Sequence, residues 1–213
     1  EYLGGEFRTR YGIDVSSFQG EIDWDAVADD NIDFAMVRVG FRGTGTGSLN
    51  TDKYYEQNIR GAMRAGLETG VYFFAQAVTV EEAIEEADYV ISLLDGLDIN
   101  GPVAYDWEMH DSTYRVYGTS PEMATACAVA FCERIKNAGY TPMVYGGTYV
   151  TYMKYDQGAL ADYLSWYPEY KSEKSEKLCP TLVYHMDYWQ FSSTRAVAGI
   201  NGRVDMNIQF IRR

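Results

Sequence analysis

The chain has 213 residues, a formal net charge of −13 and a hydrophobic fraction of 46%. Its length fits one domain of α/β-barrel size, and its apolar fraction is enough for a large core. The excess of acids argues against nucleic acid and against an anionic membrane surface, because both partners need clustered Lys and Arg. The apolar runs are too short for a transmembrane helix, so no membrane insertion is expected.

The three cysteines, Cys127, Cys132 and Cys179, give no complete disulfide framework. Cys127 and Cys132 are five residues apart in a predicted helix, which is poor disulfide geometry, and buried free thiols are therefore expected. The two histidines, His110 and His185, form no cluster with cysteine at metal-site spacing. A structural zinc site is not predicted.

The elements alternate between strand and helix through the first two thirds of the chain. Thr79 and Ser120 are predicted helix caps, and Pro121 suits the first position of the helix that follows Ser120. The predicted strands are 11–16, 34–41, 71–75, 102–108 and 142–145, and the predicted helices are 24–29, 54–65, 79–94 and 120–138. Residues 1–10 are predicted to be an N-terminal extension or a remnant of protein production, and residues 11–213 a single catalytic domain.

The alternation weakens after residue 145. Residues 163–167, 182–190 and 202–210 are predicted strands with little helix between them, and 171–177 (KSEKSEK) is a predicted charged surface loop. Five strand–helix units predict a parallel sheet, and three further strands would allow it to close into an eight-stranded barrel. The active site of such a barrel lies at the carboxyl ends of the strands.

Four acids end strand-like segments: Asp14, Asp106, Glu108 and Asp205. Asp106 and Glu108 are two residues apart, so on a strand both point to one side, about 6–7 Å apart along the chain. Buried like charges are costly unless one group takes a proton or finds a partner. Enzymes use such a pair because one carboxyl can stay protonated while the other stays ionised.

Two other uses of these acids stay open at this point. Arg38, a lone Arg in a predicted barrel strand that needs an acid partner, could hold the pair in a purely structural network. Clustered carboxylates could also bind Mg²⁺ or Ca²⁺, although the chain has no Ca²⁺-loop motif. The glycine-rich segment 43–47 (GTGTG) matches no phosphate-binding loop and is predicted to be a flexible loop at the barrel rim.

Three groups of motifs resemble glycoside hydrolase family 25, the Chalaropsis-type lysozymes or N-acetylmuramidases. They are YGIDVSSFQG with IDW at 11–24, DWE at 106–108, and WQFSS, GING and VDMN between 189 and 207. The resemblance runs from about residue 11 to residue 210, and the three groups occur in order at the proper spacing. It implies an α/β fold, a flattened TIM-like barrel with five β/α units followed by three β-strands.

The resemblance also implies an activity. It is hydrolysis of the β-1,4 bond between N-acetylmuramic acid and N-acetylglucosamine in bacterial peptidoglycan, with retained anomeric configuration and no cofactor or metal. Glu108 is implied as the general acid/base and Asp106 as its partner, with Asp14 and Asp205 completing the acidic cleft. We expect Asp106 and the aromatic wall to raise the pKa of Glu108.

The expected substrate contacts are mostly aromatic. Tyr72, Tyr145 and Trp189 match groove-lining positions of the family, and Trp166, Arg38 and Gln190 complete the set of predicted substrate-binding residues. The segment 164–170 (LSWYPEY) departs from the family's usual sixth strand, which puts the sugar contacts on that side in doubt.

Asp106 could attack the sugar directly, or it could orient a 2-acetamido group of the substrate that attacks instead. Its place on the same strand as Glu108 favours the second route. Three other functions stay open: a non-catalytic wall-binding domain on this fold, a chitinase-like hydrolase and a metal-dependent hydrolase. No signal peptide is visible, so a secreted or cell-wall-associated location follows only from the implied function, and the protein is expected to be a monomer.

Overall fold

The computed structural model describes residues 6–170 and 179–213. Its strands are β1 (Phe7–Val15), β2 (Phe34–Arg42), β3 (Leu49–Thr51), β4 (Glu68–Ala75), β5 (Val103–Trp107), β6 (Pro142–Tyr145), β7 (Leu164–Pro168), β8 (Tyr188–Arg195) and β9 (Val204–Arg212). Its α-helices are α1 (Trp24–Asp29), α2 (Tyr55–Arg64), α3 (Val80–Leu93), α4 (Pro121–Asn137) and α5 (Thr148–Met153), and Ser17–Gln19 form a 3₁₀ turn.

Eight of these strands close into a barrel. The order around the sheet is β1, β9, β8, β7, β6, β5, β4, β2, and pairing of β1 with β2 closes the circle. Within the barrel, neighbouring strands pair in parallel from β1 through β2, β4, β5, β6 and β7 to β8, whereas β9 is antiparallel to both β8 and β1. The short β3 pairs only with β2, outside the barrel. Five β/α units followed by three strands confirm the predicted fold class.

The first and eighth strands depart from their predicted bounds. β1 begins at Phe7, and residues 7–10 pair with the end of β9 as far as Arg212. The predicted boundary after residue 10 therefore falls inside a barrel strand. β8 begins at Tyr188, six residues later than predicted, and continues to Arg195. The predicted loop 171–177 lies outside the described residues.

Three short elements were not predicted: the 3₁₀ turn, β3 and α5. The sequence of α5 is TYVTYM. Its β-branched and aromatic residues favour strands, so tertiary context overrides local propensity there.

The main core lies between the outer face of the barrel and the helices. Cys127 and Cys132 are buried in it as free thiols, as predicted, while Cys179 is an exposed free thiol. A second apolar cluster fills the floor of the barrel, where Phe34, Met36 and Tyr188 are among the buried side chains. The described helices include none that is long and apolar enough to cross a membrane.

Candidate active site

Side-chain alternation along β5 places the predicted pair as expected. Ala104 and Asp106 face the barrel interior, and Trp107 faces the helices, where its Nε1 donates to the carbonyl of Ala77 at 3.0 Å. Glu108 follows the last residue of β5 and lines the same cavity as Asp106. The two carboxyls therefore meet at the carboxyl end of the barrel.

The other two acids reach this cavity from β1 and β9. Asp14 and Asp205 are register partners across the antiparallel pair, and both line the cavity. The cavity has a volume of about 270 Å³. Its lining residues are Asp14, Tyr72, Asp106, Glu108, His110, Tyr145, Trp166, Tyr170, Gln190 and Asp205. The structure thus brings together the four predicted acids and four of the six predicted substrate-binding residues.

Two amides hold Asp14. Its Oδ2 accepts hydrogen bonds from Gln190 Nε2 and Asn207 Nδ2, each at 2.8 Å. Burial and repulsion from Asp205 raise the pKa of Asp14 to about 7, although the two amide hydrogen bonds act in the opposite direction. Asp14 therefore titrates near neutral pH while its orientation stays fixed.

The same amides connect Asp14 to the aromatic wall. Gln190 Oε1 accepts from the hydroxyls of Tyr145 and Tyr170, each at 3.0 Å, and Trp166 Nε1 donates to Asn207 Oδ1 at 2.8 Å. One hydrogen-bonded chain therefore orients an acid and three aromatic side chains around the cavity.

Asp106 and Glu108 differ in their attraction for a proton. Burial, followed by the charge of Glu108, raises the pKa of Asp106 well above its ordinary value. Burial also raises the pKa of Glu108, but nearby His110 and a hydrogen bond from Asp106 oppose that rise. The expected rise at Glu108 is present, with burial as its cause; Asp106 acts in the other direction. A single proton shared by the pair therefore favours Asp106 while the cavity is open to water.

Asp205 carries a weaker version of the same effect. Burial and the charge of Glu108 raise its pKa to about 6.

Asp106 Oδ1 is buried and has no hydrogen-bond partner among the described residues. A buried oxygen of this kind is available to a donor that a bound ligand brings.

Arg38 does not join the acidic pair. Its Nε and Nη2 bind Asp52 Oδ2 at 2.9 and 2.8 Å, and its guanidinium carbon lies 5.1 Å from the centre of the Phe18 ring. The charge of Arg38 lowers the pKa of Asp106 only as a minor effect. The structure therefore corrects the interpretation in which Arg38 neutralises Asp106 and Glu108 as a structural network.

Trp189 is also placed differently from the prediction. It is 1% exposed, packs against Phe191 in the outer core and donates from Nε1 to the carbonyl of Glu169 at 3.0 Å. Because Tyr188 and Gln190 face the barrel interior, alternation along β8 turns Trp189 toward the outer layer. Trp189 is a core residue and does not line the groove.

Sequence reasoning missed three residues of the site. Asn207 lies two residues after Asp205, so strand alternation could have found it. His110 lies two residues after Glu108, and its Nε2 is 3.1 Å from Glu108 Oε2. Tyr170 follows β7 in the segment that departs from the family pattern, and no local signal marked it.

No group of three or more His, Cys, Asp or Glu side chains that could hold a metal ion is found within residues 6–170 and 179–213. The buried acids instead interact with amides, with a histidine and with one another.

Sequence comparison places these residues in a known family. The profile of glycosyl hydrolases family 25 matches residues 13–200, which includes the ends of β1 and β5 and all of β8. The chain belongs to glycosyl hydrolase family 25. Family membership makes it a glycoside hydrolase by descent and confirms the resemblance seen in its motifs.

Three proteins similar to this chain are informative. The autolytic lysozyme of Clostridium acetobutylicum is 26% identical over 92% of this chain, which spans only 54% of that relative's length. The lysozyme of Streptomyces coelicolor superposes with a TM-score of 0.74 at 25% identity, covering 93% of this chain and 90% of the other. The autolysin LytC of Streptococcus pneumoniae, solved with a synthetic peptidoglycan ligand, superposes with a TM-score of 0.76 at 25% identity, covering 96% and 47%.

Proposed function

We propose that this protein is a lysozyme that hydrolyses the β-1,4 bond between N-acetylmuramic acid and N-acetylglucosamine in peptidoglycan. The observation that carries the proposal is the meeting of Asp14, Asp106, Glu108 and Asp205 in one aromatic-lined cavity at the barrel mouth. Two relatives named as lysozymes, and LytC with its peptidoglycan ligand, support the substrate class.

Glu108 is the proposed general acid. It is the more exposed member of the pair, with 26% of its side chain accessible, so it can reach the glycosidic oxygen of a bound glycan. A glycan that fills the cavity removes water from Glu108 and raises its pKa further, which favours protonation of the carboxyl before bond cleavage. The proton passes to the leaving oxygen as the C1–O bond breaks.

Asp106 is the proposed partner of the substrate's 2-acetamido group. It lies near the end of β5, two residues before Glu108, and its buried Oδ1, which has no partner among the described residues, can accept a hydrogen bond from the acetamido N–H. The acetamido carbonyl oxygen then bonds to C1 while the leaving group departs with the proton of Glu108. Water next attacks C1 and gives a proton to Glu108 while the bond from C1 to the acetamido oxygen breaks and the acetamido group is restored. The two inversions at C1 leave the configuration retained.

Asp14 and Asp205 are proposed to stabilise positive charge that develops at the sugar. The cavity wall presents the rings of Tyr72, Tyr145 and Trp166 and the amide of Gln190. The centre of the Trp166 ring is 4.9 Å from the centre of the Tyr145 ring and 5.9 Å from that of Tyr72. Rings with polar groups suit sugars, which present C–H faces and hydroxyl edges.

We place the protein outside the cytoplasm or at the cell wall, as a monomer acting on glycan strands without a cofactor.

The test is digestion of purified peptidoglycan followed by reduction of the new ends and mass analysis. Reduced muramic acid ends are expected. Reduced glucosamine ends, or cleavage of chitin oligomers in preference to peptidoglycan, would overturn the bond assignment. Binding of peptidoglycan without any new ends would make the protein a wall-binding domain.

A substrate analogue separates the two routes at Asp106. If the acetamido oxygen is the group that attacks C1, a glycan that lacks the 2-acetamido carbonyl should not be turned over. Full turnover of that analogue would assign the attack to Asp106 itself.

A further inference from the structure

Gln76 lies one residue beyond β4 and makes direct contact with the main chain of Glu108. Its Nε2 donates to the Glu108 carbonyl oxygen at 2.7 Å, and the residue is completely buried. The carbonyl cannot donate, so the amide must turn its nitrogen toward it.

This contact replaces strand pairing at the position where the pairing ends. The last register pair between β4 and β5 is Ala75 with Trp107. Glu108 therefore has no strand partner on that side, and the Gln76 side chain extends the hydrogen-bonded ladder by one residue.

The main chain of Gln76 is itself fixed on both sides. Its N–H donates to Glu86 Oε1 at 3.0 Å, and its carbonyl accepts from Arg115 Nη1 at 2.8 Å. Arg42 Nε binds the same Glu86 oxygen at 2.8 Å, and Arg115 makes two bonds of 2.7 and 2.9 Å to the Glu82 carboxylate. Gln76 is thus held by two ion pairs, and none of their four side chains is among the cavity-lining residues.

Glu86 is completely buried and Arg42 is 4% exposed. An ion pair buried to this degree adds little net stability, because removing both charges from water offsets their attraction. What it does supply is a fixed position for the groups it binds. The same two arginines hold the rim loop 43–47. Arg42 Nη1 donates to the Gly47 carbonyl at 2.8 Å, and the main-chain N–H of Arg115 donates to the Thr44 carbonyl at 2.9 Å.

We propose that Gln76 is a positioning residue for Glu108, held in place by the Arg42–Glu86 and Arg115–Glu82 pairs. This inference rests on the proposed role of Glu108. Proton transfer is sensitive to placement, and a shift of about 1 Å at a reacting group can lower a rate by about 10²-fold. Gln76 acts through Glu108 and has no contact with the substrate.

The first experiment compares Gln76→Met with Tyr105→Phe. Met keeps the length and volume of Gln without its donor, and the Tyr105 hydroxyl is buried without a hydrogen-bond partner among the described residues. Tyr105 lies on the outer face of β5 beside the same Glu86 and serves as the matched control. Gln76→Met should lower kcat about 10- to 100-fold with KM changed less than about twofold, whereas Tyr105→Phe should leave both unchanged.

The second experiment restores the donor by protonation. In Gln76→Glu the introduced carboxyl can donate to the Glu108 carbonyl only when it is neutral. Its activity relative to Gln76→Met should therefore rise as the pH falls. Glu86, Glu82, Arg42 and Arg115 surround this position in both variants, so dividing by the Gln76→Met rate removes the pH dependence that the two variants share.

The third measurement is a crystal structure of Gln76→Met. Displacement of the Glu108 carboxyl relative to Asp106 supports the proposal. An unmoved carboxyl, or an unchanged kcat in a folded Gln76→Met variant, would overturn it. If the wild-type protein cleaves no peptidoglycan, the proposed function is wrong. In that case the crystal structure of Gln76→Met still decides whether Gln76 positions Glu108.

Discussion

At Glu108, burial and neighbouring groups act in opposite directions on the carboxyl pKa. Burial raises it, while His110 and the hydrogen bond from Asp106 lower it. Asp106 is buried more deeply, and its pKa is raised more. A proton shared by the pair therefore favours Asp106 in the open cavity, and the proposed acid Glu108 takes it up when a bound glycan removes water and raises the pKa of Glu108 further.

Glu108→Gln should lower turnover of peptidoglycan at least about 10³-fold, because the amide cannot supply the proton to the leaving oxygen. Glycan binding should be retained. The measurement is the initial rate of release of reducing ends, with Glu81→Gln, an exposed acid on α3, as the matched control. Near-wild-type rates in Glu108→Gln would remove Glu108 from the chemistry.

The two tryptophans predicted as substrate contacts should now behave differently. Trp166→Phe breaks the bond to Asn207 in the cavity wall and should lower kcat/KM. Trp189→Phe removes core packing and should cost about 1–3 kcal/mol of unfolding free energy, with kcat/KM unchanged. Urea unfolding and glycan hydrolysis measured on both variants decide this, and a reversed pattern would return Trp189 to the groove.

Side-chain caps mark the first turns of α3 and α4. The Ser120 side chain accepts from the Met123 N–H at 3.3 Å, and Pro121 occupies the first turn of α4. Thr79 caps α3 in the same way, accepting from the Glu82 N–H at 3.3 Å. These caps satisfy donors that the helices leave unpaired, which is why both helices begin where the sequence predicts.

Ser120→Ala should lower the free energy of unfolding by about 1 kcal/mol, because one N–H of the first turn loses its acceptor. The rate of hydrolysis should not change, since α4 contributes no residue to the cavity lining. Ser92→Ala, an exposed Ser on α3, is the control and should stay within about 0.5 kcal/mol. Equal losses from both variants in urea titrations would contradict the capping role.

The closed barrel concentrates negative charge in its mouth. Asp14, Asp205 and the outer-layer Glu86 all have raised pKa values, of about 7, 6 and 7, against ordinary values of 3.8 and 4.5. A group whose pKa is raised by folding binds its proton more tightly in the folded state. Its contribution to stability is complete below its ordinary pKa and is lost as the pH rises through the folded value.

The free energy of unfolding should therefore fall between about pH 4.5 and pH 7, the range between the ordinary and the folded pKa values of these groups. Glu82, whose pKa is lowered, gives no opposing slope there, because its contribution is already complete above its ordinary value of 4.5. Urea unfolding across this range measures the effect. Asp14→Asn should make the unfolding free energy depend less on pH, whereas Asp162→Asn, which removes one exposed charge, should not. Equal slopes in the wild-type protein and both variants would contradict the contribution assigned to Asp14.

Local patterns in the sequence determined most of the elements and the composition of the site. Alternation, helix caps and acids at strand ends predict the five β/α units and the pair Asp106 and Glu108, since these signals depend only on near neighbours in the chain. The ends of two other predicted strands marked Asp14 and Asp205, and the family motifs implied that both complete the acidic cleft. Residues 7–10 carried no such signal, because they become a strand only by pairing with the distant end of β9.

Only the tertiary structure decided which side chains share the cavity and how they are charged. Arg38 binds Asp52, Trp189 faces outward, and Asn207, Tyr170 and His110 enter the site through contacts between residues far apart in the chain or beyond the strand ends. The pKa values depend on burial, and burial arises only when the barrel closes. The sequence alone therefore named the acids, whereas closure of the barrel determined their proton affinities, their partners and the Gln76 contact that holds Glu108.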